Sequence, residues 1–194
     1  MSGIEAFSPK GMLHEGWSTQ VEDYAIVCGW ALQGKTFLVG DVAGGLYAFE
    51  GISGKLIWQI KDIHKGGLLA MSIHPNGKTF ATAGQDGHVN IWESQKGTST
   101  KTLELGKGWV EHIKWSPDGK FLAVVFTKYV YVFDDKGQEH WRSDEHPSTV
   151  SAIAWSNSNE LATACYGQVT FFDVVNDKIN QKLEWRGSLV SMVL

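Results

Sequence analysis

Cysteine is nearly absent from this chain: Cys28 and Cys165 stand far apart in 194 residues, with no CxxC pair. A disulfide framework or a thiolate zinc site needs more sulfur at closer spacing, so two buried free thiols are expected. Long apolar runs are also missing. No stretch of 18 uninterrupted apolar residues occurs, and the opening MSGIEAFSPKGMLHEGW has no apolar centre of signal-peptide length. The expectation is a cytoplasmic protein without membrane association. Nor is there an excess of positive charge: 17 Lys and Arg against 21 Asp and Glu leave a formal charge of -4 with no long run of either sign. Nucleic acid is therefore not expected as a partner.

Catalytic signatures are absent from the sequence too. There is no HExxH, no EF-hand loop and no GxSxG, and neither cysteine is placed by motif beside a histidine. Gly44, Gly45 and Gly87 fall in turns between strands rather than between a strand and a helix, which argues against a phosphate-binding loop. His74, His88, His112 and His140 lie at no close ligand spacing. The chain is expected to be no enzyme and to hold no cofactor or metal.

What the chain does have is glycine, 22 residues of it, and a repeat that uses it in turns. SIHPNGKTFATAGQDGHVNIW (72–92) and IKWSPDGKFLAVVFTKYVYVF (113–133) share one plan: a strand, a Pro-x-Gly turn, a second strand, a short turn and a third strand ending in an aromatic. IAWSNSNELATACYGQVTFF (153–172) is the fourth copy in chain order and CGWALQGKTFLVGDVAGGLYAF (28–49) a looser first one. The closing aromatics Phe49, Trp92, Phe133 and Phe172 are spaced by 43, 41 and 39 residues. Fourth strands follow at GKLIWQI, TKTLEL, QEHWRS and KINQKLEW. A lone four-stranded sheet cannot bury both faces and must stack on neighbours, so the pattern predicts an all-β, β-propeller domain of four-stranded antiparallel blades, as a partial or incomplete ring. The expected division of this single domain, residues 1–194, is an N-terminal segment 1–21, blades at 22–62, 63–105, 106–144 and 145–186, and the first strand of a further blade at 187–194.

Over about residues 22–194 the sequence resembles the WD40 repeat family, whose period is roughly 40–45 residues. The second copy carries the resemblance best: His64 stands in the place of the GH histidine, Thr82 in the second strand, Asp86 in the turn and Trp92 at the end of the third strand. The resemblance implies that these four form a hydrogen-bonded tetrad. That copy itself has Glu93 where the aspartate follows Trp92, and the others depart further: the fourth copy keeps His146, Thr163 and Asp173 but has Phe172, the third lacks the histidine, and the first has no traceable tetrad. The family also implies that a strand from the N-terminal segment, around Trp17, completes the last blade.

Two sets of tryptophans stand out. Trp30, Trp115 and Trp155 share one first-strand position, held by Ile73 in the second copy, and are expected in the core. Trp58, Trp141 and Trp185 fall in or at the end of fourth strands and are expected to pack between blades. LIWQI after a glycine is also similar to quinoprotein propellers, which makes a cofactor-binding or enzymatic propeller an alternative. Trp109 and Lys107 lie in the connection into the third blade, and Gln85, Lys128, Tyr129 and Tyr166 in second-to-third-strand turns of the same face. These six are the candidate rim for protein partners, because tryptophan and tyrosine supply rigid contact area. The leading expectation is a non-catalytic protein–protein interaction scaffold. A truncated fragment with no independent activity, self-associating through an open blade edge, is a further alternative.

Overall fold

The computed structural model of the protein describes residues 16–193. FLAVVF, the second strand of the third sheet, is a continuous apolar run, because both faces of that inner sheet are covered by neighbours. Four antiparallel sheets result, each a meander in chain order. The first holds β1 (Ala25–Ala31), β2 (Thr36–Asp41), β3 (Leu46–Glu50) and β4 (Leu56–Ile60). The second holds β5 (Leu68–Ile73), β6 (Thr79–Gly84), β7 (His88–Glu93) and β8 (Thr98–Glu104). The third has β9 (Val110–Trp115), β10 (Phe121–Phe126), β11 (Tyr129–Asp134) and β12 (Glu139–Arg142), and the fourth β13 (Ala152–Trp155), β14 (Glu160–Cys165), β15 (Gln168–Asp173) and β16 (Lys178–Glu184). The first strands β1, β5, β9 and β13 are neighbours in turn. The sheets therefore fan out as blades from a common centre, in a ring that is not closed.

The blades are joined by apolar interfaces. Leu38, Leu46, Ala48, Phe80 and Trp92 form the core between the first and second, Val110, Trp115 and Val124 belong to the core between the second and third, and Val132, Trp141 and Trp155 to that between the third and fourth. A docking tryptophan recurs within them. Trp58, opposite Ala48 in the ladder, stacks on Phe80 at 6.3 Å and donates its indole N–H to the Ser94 carbonyl at 3.2 Å. Trp141, opposite Val132, packs on Phe172 at 5.0 Å and donates to the Asp177 carboxylate at 2.7 Å. Lys101 takes this register in the second blade, opposite Ile91, and its ammonium reaches the Lys136 carbonyl.

Trp185 does not belong to that set. Gln181 holds the equivalent place, opposite Phe171, while Trp185 follows the end of β16 and is 36% exposed. By contrast, Trp17 does behave as a docking tryptophan. It packs on Phe37 and Phe49 at 5.9 and 6.0 Å and donates to the Gly51 carbonyl at 2.9 Å. Gly51 follows Phe49-Glu50 as Ser94 follows Trp92-Glu93. Gly54 (φ +68°) leaves room for the Trp17 ring, as Gly97 (φ +66°) does for Trp58, and a Cβ at Gly54 would collide with the indole. Residues 16–23 thus cover the far face of the first blade without forming a strand there. The rest of the segment expected at 1–21, residues 1–15, lies outside the described residues.

Three further expectations are corrected. Trp115 and Trp155 are buried, but Trp30 is 53% exposed. Cys28, expected to be buried like Cys165, is exposed as well. Both alternate along β1 onto the face that a preceding blade would cover, and residues 16–23 shield only the part over Val39, Tyr47 and Phe49. Residues 187–193 form no strand, since no described strand lies beside them to complete a ladder. Leu189 and Met192 instead pack on Ala152, Ala162, Ala164 and Val169 of the fourth blade, and Leu194 lies outside the described residues.

Candidate functional site

The polar centre of the second blade is built from two strands, the turn between them and a loop. Thr82 on β6 and Trp92 on β7 face the first blade, and the loop before β5 brings His64 over them. The Trp92 indole N–H donates to the Thr82 hydroxyl at 2.9 Å, the His64 Nε2 lies 2.9 Å from the same hydroxyl, and the His64 Nδ1 lies 3.0 Å from Asp86 Oδ1. A carboxylate can only accept, so Nδ1 carries the imidazole proton and Nε2 accepts from Thr82. One chain of donors, Trp92 to Thr82 to His64 to Asp86, satisfies every group. The Lys65 and His88 amides also donate to Asp86, at 3.0 and 3.1 Å.

Each other blade solves the same position differently. In the fourth, His146 Nε2 lies 2.8 Å from the Thr163 hydroxyl, its Nδ1–H donates to the Lys128 carbonyl at 3.0 Å, and Phe172 packs on the ring at 5.9 Å in place of an indole. The third fills the place with apolar Val124 and Phe133. The first has Val39 and Phe49 in the places of Thr82 and Trp92, and beside them a pair that sequence reading did not find: Asp41, buried, accepts from the Tyr47 hydroxyl at 2.8 Å and the Gly45 amide at 2.7 Å. Its signal was an acid and a tyrosine six residues apart across a Gly-Gly turn.

These networks set a pH dependence. Burial holds His64 below its ordinary pKa, outweighing the pull of Asp86. Burial likewise lowers His112 and His146. For Asp86 burial acts upward, but hydrogen bonds from His64 and from the His88 and Lys65 amides hold it below the ordinary carboxylate value. The unfolded chain takes up protons on these histidines below about pH 6.5 that the folded chain refuses, so stability falls as pH falls through that window. Asp86 adds its loss only nearer pH 4 and below, around the ordinary carboxylate pKa of about 3.9. We expect a melting temperature about 3 °C or more lower at pH 5.5 than at pH 7.5; a flat profile between them would show that the buried imidazoles do not control acid stability.

The rim lies on the edge where these turns and connections meet. Each second-to-third-strand turn accepts a backbone hydrogen bond from the connection leaving its blade. Ile63 donates to Gly44, Leu105 to Gly87, His146 to Lys128 and Trp185 to Gly167, at 3.1, 3.0, 2.9 and 2.9 Å. Four equivalent bonds therefore pin the loops to the sheets. All six candidate residues lie on this rim, but they are not equally open. Trp109 is 53% and Tyr166 62% exposed, and Lys107 is exposed. Lys128 and Tyr129 are engaged by Glu145 at 3.1 and 3.3 Å, and Gln85 is half-buried. Among the described residues no group of three or more His, Cys, Asp and Glu could hold a metal ion.

The model of the "WD domain, G-beta repeat" family matches residues 54–93 and 97–134. Each match starts just before a fourth strand and ends with the last residue of the next blade's third strand, so the sequence repeat is offset from the blade by one strand. WD repeat-containing protein 1 of Gallus gallus is 43% identical over 98 residues, covering 47% of this chain and 16% of that protein. The p21-activated protein kinase-interacting protein 1-like of Xenopus laevis is 29% identical over 78% of this chain and 39% of its own length. The chain thus spans well under half of either relative. A chain in a crystal structure of the mitotic checkpoint complex superposes with a TM-score of 0.78 at 19% identity, over 89% of this chain and 55% of that one.

Proposed function

The chain belongs to the WD40 repeat family, and we propose that it is a non-catalytic, cytoplasmic docking platform whose rim around Trp109 binds a protein partner. The observation that carries this reading is the half-exposed Trp109 in a loop pinned on both sides. Leu105 is bonded to the turn of the second blade, and Gly108 lies against Phe126 of the third. A large aromatic held open on a rigid frame loses little entropy when a partner covers it, and such residues dominate interface energy. The polar side chains of the tetrad satisfy one another internally, which leaves recognition to loops on a fixed scaffold. Two relatives point the same way by what their names say: one is a kinase-interacting protein, and the structural neighbour belongs to a multiprotein complex.

Trp109→Ala is expected to weaken a partner isolated on the wild-type protein by about tenfold or more, while the melting temperature moves by no more than about 2 °C. Unchanged affinity would remove this rim from consideration. A large fall in melting temperature would mean that Trp109 is a packing residue instead.

A further inference from the structure

The outer edge of the fourth blade has an unusual sequence. β16 is the last strand of its sheet, and all seven of its residues, KINQKLE, are exposed. Pairing with β15 fixes what each of them presents. A register shift bulges the strand at Asn180. Beyond it Gln181 and Leu183 stand opposite Phe171 and Val169, on the face away from the third blade, while Lys182 and Glu184 stand opposite Thr170 and Gln168, on the face toward it. Trp185 donates its amide to the Gly167 carbonyl at 2.9 Å. Backbone groups of an antiparallel strand alternate between its two sides, so those of Gln181 and Leu183 also turn to β15 and those of Lys182 and Glu184 turn outward. Leu183 is 45% exposed, whereas Leu103, its equivalent on β8, is 7% exposed beneath the third blade. Lys182 and Glu184 make no ion pair among the described residues.

We propose that β16 pairs antiparallel with β16 of a second copy, about a two-fold axis through Leu183 and normal to the sheet. Leu183 then meets Leu183, Lys182 of each copy stands opposite Glu184 of the other, and Gln181 stands opposite Trp185. Backbone, faces and charges agree on this register. The outward groups of Lys182 and Glu184 form the close hydrogen-bonded pairs, and every residue meets one on its own face. Both direct charge pairs are opposite in sign and stand closer than the like-charged diagonals. Moving the axis to either neighbouring residue sets Lys182 against Lys182 or Glu184 against Glu184, so the charges reject a slip. An exposed edge strand is a template for pairing, and a lysine on it normally blocks that; here Glu184 of the second copy answers it. No other outer strand offers the same set: β4 (LIWQI) carries no charge, β12 has four residues with a bulge among them, and Thr102 holds on β8 the place of Lys182.

The test is the mass of the full chain by light scattering across a range of protein concentrations. The wild type is expected to pass from monomer to dimer as concentration rises, and to dimerise less in added salt. K182E and E184K each turn both charge pairs repulsive and should weaken the dimer by about tenfold or more. The double variant K182E/E184K exchanges the charges within each pair and should restore it. Register is read separately by cross-linking in a C28S background, which leaves only the buried Cys165 as a native thiol. L183C should give a disulfide-linked dimer under mild oxidation, because residues directly opposed in a non-hydrogen-bonded pair have Cα atoms about 4.5 Å apart, within disulfide reach. Q181C, which faces Trp185 instead of itself, should not. A monomer at every concentration, a dimer indifferent to K182E and E184K, or no recovery in the double variant would overturn the proposal. Linkage through Q181C as readily as through L183C would overturn it too.

Discussion

Replacing Phe80 with alanine should destabilise the protein by about 3–5 kcal/mol, a large part of the roughly 5–15 kcal/mol that holds a typical domain. Phe80 is fully buried on β6. Its ring stacks on Trp58 at 6.3 Å with 10° between the planes and on Trp92 at 6.3 Å with 16°. These three rings form a column that crosses from the first blade into the second. Truncation would leave a void that neither neighbour can fill. Trp58 is held by its bond to Ser94 and Trp92 by its bond to Thr82, so neither indole can turn inward without giving up a hydrogen bond. The measurement is the urea midpoint, with Trp30→Ala as the internal comparison. Trp30 removes a larger side chain, but from a face that no blade covers. A loss at Phe80 under about 1 kcal/mol, or a loss at Trp30 as large as that at Phe80, would refute this account of the blade boundary.

How much of this was legible in the sequence depended on whether a feature repeats. The strand plan and its period were readable because Pro-x-Gly turns and closing aromatics recur at nearly constant spacing. The tetrad was readable because four chemically distinct side chains stand at offsets that one blade can bring together. Trp30 misled because its register matches Trp115 and Trp155, while burial depends on a neighbouring sheet that no single repeat records. Trp185 misled by a few residues: it closes the KINQKLEW run, but the ladder puts Gln181 opposite Phe171, with a register shift at the next pair. The Asp41–Tyr47 pair occurs once and had no repeat to reveal it. The engagement of Lys128 and Tyr129 by Glu145 spans a loop whose path the sequence does not fix. Rim exposure was therefore the least readable part of the site, although the positions that form the rim were identifiable.

Thr82→Val tests whether the second blade depends on its donor chain or merely on filled volume. Valine keeps the shape and removes only the hydroxyl, yet it strips two buried groups at once: the Trp92 indole N–H loses its acceptor and the His64 Nε2 loses its donor. His64 and Trp92 are 2% and 7% exposed, so water cannot easily replace the hydroxyl. With about 1–3 kcal/mol for each of the two stranded groups, the expected cost is about 2–6 kcal/mol, far beyond what an exposed Thr→Val change would give. The third blade shows the other stable solution, in which Gly106, Val124 and Phe133 occupy the places of His64, Thr82 and Trp92 without polar groups. Copying that set, as H64G/T82V/W92F, should therefore cost clearly less than the sum of its three single changes, because the variant leaves fewer unpaired partners behind. Additive losses would mean that each residue contributes by packing alone. A shortfall of more than about 1 kcal/mol from the sum would show that the four side chains act as one hydrogen-bonded unit.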